Sequence, residues 1–432
     1  MGRMDSDITK KNIPIKKVQT EILTTRLAQP KIIRHKKLKA LFISIILISI
    51  TGGGSLYLLE AQPSFVAKFA DNVLRPTLGN KNTIILENLV FSLSDHLKQI
   101  VYGTVGKPKA NIFNAEPAQK PQSIPKPTIQ SLNLTTINDA QPGYPLLEGE
   151  GQWTIVNLPQ FNNQQIMART FVRPDPDRSY AIVALIQMNM HYLSLNCVAG
   201  TYYPGGDLGH PGPGIIPAAD QASNNLVAAF NGGFQYMDGH YGMTVGTNVY
   251  VPLTEGLGSL IIYQDGSSTI EKYDSTKKTL VPIAAVRQNG PLILDKGQVT
   301  ADATSGGYQV WGRTTTNSVY TWRSGVGMTA SGNLVYAVGP SLTAATLAQS
   351  LKLAGATVAM QLDINQFWVR FVTFTPTTPG NYATESILNT LQNGGPQYLH
   401  GYNKDFFYLM MRPPIVHKSK SLSLHAHKIE VA

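Results

Sequence analysis

The sequence predicts an α+β fold: a mixed or antiparallel sheet core with packed helices, preceded by a transmembrane helix and a short helical stalk. Three observations carry this expectation. Beyond Glu148, β-branched and aromatic runs recur between turn signals; two helix-patterned segments interrupt them; and one long uncharged run lies near the N-terminus. A chain of 432 residues exceeds what one ordinary core needs, which suits one large domain plus appendages. Its 43% hydrophobic and 14% charged residues describe a folded protein.

Residues 40–59, "ALFISIILISITGGGSLYLL", carry no charge and are long enough at about 1.5 Å per residue to cross a membrane. The basic flank "KIIRHKKLK" places the N-terminus in the cytoplasm and everything after residue 60 outside. No small-x-small cleavage site follows, so the segment reads as a single-pass signal anchor, the alternative being a cleaved signal peptide. Much of the formal net charge of +10 sits in basic tails at 1–39 and 412–432, and nucleic acid is not an expected partner. The lone Cys197, among apolar neighbours, reads as a buried structural thiol.

Residues 60–106 read as a helical stalk, in which Ile85, Leu89, Leu93 and Leu97 share one face to be buried against the main domain, a partner subunit or the membrane surface. Seven prolines between Lys107 and Pro145 mark 107–147 as an extended linker, and 148–411 as the main domain. Within it, "YAIVALIQMNMHYLSLNCV" is long enough to be a strand bent or broken in two. "SLTAATLAQSLKLAGA" predicts a helix with Ser341 as N-cap, Leu347 and Leu351 on one face, and Gly355 ending it.

Four segments bear chemistry. "AAFNGGF" runs a strand into Asn231-Gly232-Gly233, whose glycines suit a positive-φ turn exposing amides to an anionic oxygen. "VRQNGPLIL" supplies Arg287 and Asn289, and "TWRSGVGM" supplies Arg323, a residue type that grips phosphate or carboxylate as a fork. "VAMQLDINQFW" ends a buried strand on Asp363 and Asn365, with alternation placing Asp363 on the face of Ala359 and Gln361. Asp238 in "YMDGHYG" is a reserve carboxylate, and "PGGDLGHPGPG" reads as a surface loop or a cleft lid. The nine histidines are scattered, without a metal-binding spacing, and no Walker, GxSxG or dinucleotide motif is present. Nothing in the residues names a cofactor or an oligomeric state.

Taken in order, "NGGF", "NGPLIL", "WRSGVGMTASGNL" and "LAGATVAMQLDIN" resemble the phosphodiester glycosidase family, the domain of N-acetylglucosamine-1-phosphodiester α-N-acetylglucosaminidase. The resemblance covers roughly 148–411. Where the family pattern reads Leu-Asp-Gly-Gly-Gly-Ser, this chain keeps Asp363 and continues Ile364-Asn365-Gln366-Phe367-Trp368, which is similar to a divergent, membrane-anchored bacterial branch. The resemblance implies hydrolysis of a sugar-1-phosphodiester of an envelope or extracellular glycan. It implies catalytic roles for Asp363, Arg323 and Asn231, and substrate contacts from Gly232, Gly233, Arg287, Asn289, Asn365 and Asp238. The alternative on the same fold is a non-catalytic glycan-binding or envelope-assembly protein.

Overall fold

The strand and helix patterns resolve into an antiparallel three-sheet core, seen in a computed structural model that describes residues 73–104, 108, 112–113, 132, 134–138, 145–161, 165–312, 320–391 and 394–412. All of them belong to one compact unit, Gln62–Ala432. The basic N-terminal tail, the 40–59 segment and nearly all of the C-terminal tail lie outside the described residues. Among the described residues no helix is long and apolar enough to cross a membrane.

The largest sheet has eight strands in the order β1 (Thr154–Ile155), β2 (Met167–Val172), β3 (Val183–Met188), β14 (Leu334–Leu342), β13 (Thr321–Thr329), β15 (Ala356–Ile364), β11 (Leu292–Asp295) and β12 (Gln298–Val299). A five-stranded sheet runs β7 (Asn248–Val251), β6 (Met243–Val245), β10 (Ile283–Gln288), β8 (Gly258–Tyr263), β9 (Ser268–Lys272). Another runs β17 (Asn381–Ser386), β16 (Phe371–Thr378), β5 (Leu226–Asn231), β18 (Phe406–Met411), β4 (Leu193–Val198). Pairings among these strands are antiparallel throughout. The long apolar run does break in two: β3 and β4 belong to different sheets, separated by the turn at Asn189–Tyr192.

Period-2 alternation sorts each strand between layers. On β14, Leu334, Tyr336 and Val338 enter the central core, while Val335 and Ala337 face a second cluster on the other side. On β18, Phe407 and Leu409 enter the central core, while Phe406 and Tyr408 face a third cluster. The central core therefore lies between the eight-stranded sheet and the two smaller sheets. Cys197 is buried within it, and burial pushes its thiol pKa up, which suits an unreactive structural side chain.

The described helices are α1 (Arg75–Thr104), α2 (Ala218–Ala222), α3 (Ala301–Ser305), α4 (Tyr308–Trp311), α5 (Ala344–Leu353) and α6 (Gly395–His400). Leu347 and Leu351 of α5 are fully buried against the outer face of the large sheet, stabilising by roughly 1.5–3 kcal/mol each. The N-cap is Thr343 rather than Ser341: Thr343 and Thr346 form a reciprocal capping box, while the Ser341 hydroxyl bonds Asp95 instead. Gly355, at φ 87°, follows the helix where only a residue tolerant of left-handed backbone fits without strain. On α1, Leu89 and Leu93 are 40% and 46% exposed, so the main domain does not cover them. The helix's buried contact is polar, Asp95 accepting hydrogen bonds from Tyr180 at 2.9 Å and from Ser341. Within the predicted linker, Leu132 and Ile137 are buried and Phe113 bridges to Leu388.

Where the three sheets meet, β10 and the start of β18 are joined by one ion pair. Arg287 Nε donates to Asp405 Oδ2 at 2.7 Å and Nη2 to Oδ1 at 3.2 Å, with both side chains fully buried. The remaining guanidinium donors reach the carbonyls of Gln288 and Phe234 at 2.6 and 2.7 Å. Asp405 also accepts the Gly233 amide at 3.0 Å. This corrects the reading of the glycine pair: neither glycine has positive φ, and their amides serve Asp405. A Cβ on Gly232 would stand 1.9 Å from Asp405 Oδ2, and one on Gly233 3.0 Å from the Arg287 guanidinium carbon. They are glycines because the ion pair passes close to their backbone.

Two expectations follow for chemical denaturation of the full chain. Asp405→Ala leaves a buried guanidinium uncompensated and should destabilise by about 3–5 kcal/mol, whereas the double change Arg287→Met, Asp405→Leu should recover most of that loss. A double variant no more stable than Asp405→Ala would contradict the assignment. Thr343→Ala removes the α5 cap and should lower stability by about 1 kcal/mol, while Ser341→Ala should leave that helix end intact.

Candidate active site

The strand ends gathered around the Arg287–Asp405 pair carry the candidate residues. β15 runs beside β13 with one extra residue: Gly325 faces Gln361 but Arg323 faces Ile364. This bulge overturns the simple alternation expected for Asp363. Gln361 turns to Arg323 (2.8 Å), while the Asp363 carboxylate pairs with Lys404, the residue preceding Asp405.

Asp363 and Lys404 are 3% and 2% exposed. The other carboxylate oxygen of Asp363 accepts the Ile364 amide at 3.0 Å. Burial pushes the Asp363 carboxyl up to about 6; the Lys404 charge and hydrogen bond pull the other way, and desolvation wins. Lys404 Nζ also lies 4.5 Å from the centroid of the Trp368 ring, a cation–π contact that fixes the ammonium between a carboxylate and an aromatic face. Asp238, exposed in a short 3₁₀ turn, has its pKa raised by desolvation and lowered by Lys404, so its charge faces the same ammonium.

Asn231 is a latch at the end of β5. Its amide nitrogen donates to Ser324 Oγ at 3.0 Å and its oxygen accepts from Tyr336 (2.7 Å) and the Arg370 amide (3.0 Å). Ser324 in turn donates to the Asp363 carbonyl at 3.0 Å, so the ends of β5, β13 and β15 converge. Arg323 points away from that junction. It donates to Leu342 O (2.8 Å), Trp311 O (2.6 Å) and Gln361 Oε1, and burial lowers its pKa to about 9, still cationic at neutral pH. Asn289 ties loops to β15: its nitrogen donates to Gln361 O and Leu362 O at 2.8 and 2.9 Å, and its oxygen accepts the Phe234 amide at 3.3 Å. Asn365, at φ 78°, occupies the left-handed region and its side-chain oxygen accepts the Phe367 amide at 3.1 Å. Asparagine is the residue that best follows glycine into that conformation, which is why it can stand at this turn.

The glycine- and proline-rich stretch 204–214 is a surface loop, exposed from Asp207 to Pro211, whose two ends are tied to the chain before Lys404. Gly214 and its neighbours bracket the segment before Lys404: Tyr402 N donates to Gly214 O at 2.7 Å and Tyr203 N to Asn403 O at 2.7 Å. Lys404 and Asp405 escaped sequence reasoning. Their signal was present, two opposite charges set directly before the apolar run "FFYLMM".

A family model described as phosphodiester glycosidase matches residues 224–363, a span that ends on Asp363 and stops short of Lys404 and Asp405. No curated protein matches the chain. Among solved structures, the catalytic domain of zebrafish N-acetylglucosamine-1-phosphodiester α-N-acetylglucosaminidase, auto-inhibited by its pro-peptide, is similar at 14% identity and TM-score 0.35, over 57% of this chain and 84% of that one. A hypothetical protein from Synechocystis is similar at 12% identity and TM-score 0.32, over 58% of this chain and 63% of the other. A putative exported protein from Burkholderia pseudomallei is similar at 12% identity and TM-score 0.26, over 54% and 74%. Residues 224–363, which carry the strand ends that frame Asp363, match the phosphodiester glycosidase family model.

Proposed function

We propose that the domain hydrolyses a sugar-1-phosphodiester, of N-acetylglucosamine type, in an envelope or extracellular glycan, outside the cell and tethered by residues 40–59. The observation that supports it most is the enclosed Asp363–Lys404 pair at the position where the family pattern carries its aspartate. Water adds at the anomeric carbon, the bond from that carbon to the phosphate oxygen breaks, and the phosphate leaves as a monoester. Asp363, as carboxylate, meets the positive charge that develops on the sugar. Lys404 is the cation for the departing phosphate, a role for which Arg287 and Arg323 are poorly placed because their donors serve Asp405 and backbone carbonyls. Asn231, Arg323 and Asn289 then act by holding strand ends, with Asn365, Asp238 and Trp368 at the substrate side.

A second reading is favoured by the mutual burial of the pair, which leaves each charge neutralising the other. In that reading the protein binds a phosphorylated glycan without cleaving it.

Asp363→Asn in the full chain should lower hydrolysis of a phosphodiester-linked N-acetylglucosamine substrate by about 10²–10⁴-fold. If Asp363→Asn turns over as fast as the wild type, the assignment fails; binding without turnover in the wild type selects the second reading. The reactive form of Asp363 is ionised, so kcat/KM should climb as pH rises through about 6. Lys404→Met removes the charge that pulls this pKa down, so the residual activity should show its rising limb at higher pH.

A further inference from the structure

Helix α1 meets the main domain along one side. Asp95 accepts the Tyr180 hydroxyl at 2.9 Å and lies 3.4 Å from Arg178 Nε, and Tyr102 stacks on the Tyr180 ring with centroids 5.8 Å apart. Residues seven apart share a helix face, so positions 95 and 102 fix the docked side. Gly79, at φ 77°, interrupts the helix, and both positions lie beyond it.

The opposite side is apolar. Leu86, Val90, Leu93, Leu97 and Ile100 recur at spacings of four, three, four and three. That is the seam of a coiled coil, with 86, 93 and 100 at d positions and 90 and 97 at a positions, and it puts Asp95 and Tyr102 at f, farthest from the seam. Leu93 and Ile100 are 46% and 62% exposed, and the flanking Leu89 and Val101 are 40% and 45% exposed. A strict fourfold row winds around a helix, whereas this row, of period 3.5, stays in line with a partner helix.

Charge and chain layout select the occupant. A helix lying in a bilayer surface lines its polar face with Lys and Arg, but residues 82–102 carry only Glu87, Asp95 and Lys98, and Asp95 is spent on the main domain. A second copy meets no such obstacle. The flanking pairs of a parallel coil, Asn82 with Glu87, Leu89 with Ser94 and His96 with Val101, set no like charges together. The uncharged segment ends at residue 59 and α1 begins at Arg75, so two chains anchored in one membrane start this helix at the same height and in the same direction. About two heptads make a weak coil between free molecules; a shared membrane raises the effective concentration that such a coil needs.

We propose that α1 pairs with α1 of a second copy of this chain in a parallel two-stranded coiled coil, through Leu86, Leu93, Leu97 and Ile100, with a main domain on each outer side. The pairing holds whether or not the domain is hydrolytic, and takes from the reading above only the tether, which sets its direction.

Cysteine cross-linking of the full chain in membranes tests it. Under mild oxidation Leu86→Cys, Leu93→Cys and Ile100→Cys should each link to its own copy. Gln99→Cys, at an outer position, and the wild type, whose one thiol is the buried Cys197, should not. Leu93→Glu, at an exposed position, should cut the linking of Leu86→Cys several-fold and leave the Tm of the chain unchanged. Retention in carbonate-washed membranes is read separately, so loss of the tether and loss of the pair are distinguishable. Self-links at 93 alone, with mixed links between Leu86→Cys and Ile100→Cys chains, would mean an antiparallel pair and overturn the proposal. So would equal linking at 99, or no links at 86, 93 and 100 with a label on Leu93→Cys quenched from within the lipid, which assigns the face to the bilayer.

Discussion

The buried ion pair between Arg287 and Asp405 is the constraint from which the rest of this structure follows. Two fully desolvated charges are tolerable only when every donor and acceptor around them is used. Here Asp405 takes two donors from the guanidinium and one from Gly233, and the guanidinium spends its other protons on carbonyls. That demand fixes β10 against β18, dictates glycine at 232 and 233, and sets the neighbouring Lys404 at the same seam. Position 404 inherits its precision from position 405.

Around that seam the polar groups divide by destination. Those whose hydrogen bonds are all answered within the protein, Asn231, Arg323 and Asn289, hold three strand ends in register. Asp363 differs in kind. Its burial raises the energy of its charged form more than Lys404 lowers it, so its proton is poised in the accessible pH range rather than locked. The bulge on β15 makes this possible by sending Asp363 to Lys404 while Gln361 goes to Arg323. Asn365 holds a left-handed turn after β15, and the Phe367 and Trp368 rings pack edge to face just beyond it.

Much of the fold was legible because it depends on local rules. Apolar alternation located the strands, and the glycine at 355 marked the end of α5. One local rule misled, and another fell short. Ser341 is a good cap by type, yet the next turn offers Thr343 with Thr346 as a reciprocal partner, and Asp95 claims the serine. Fourfold leucine spacing on α1 named a shared face without naming its cover: the helix docks on the main domain through Asp95, and Leu89 and Leu93 stand clear of it. Periodicity reports which residues share a face; what covers that face is a question about the rest of the chain.

By itself, then, the sequence determined the strand content, the candidate aspartate and the family resemblance, because each is written in short stretches whose physics is local. Tertiary structure decided which charges are partners. Asp405 lies 118 residues from Arg287 and Lys404 lies 41 from Asp363, and Ser324 bonds Asn231 across 93. No propensity or period encodes such distances. Arginine 287 read alone is a ligand for phosphate; with Asp405 against it, it is a structural brace, and the free choice of charge at the site passes to Asp363 and Lys404.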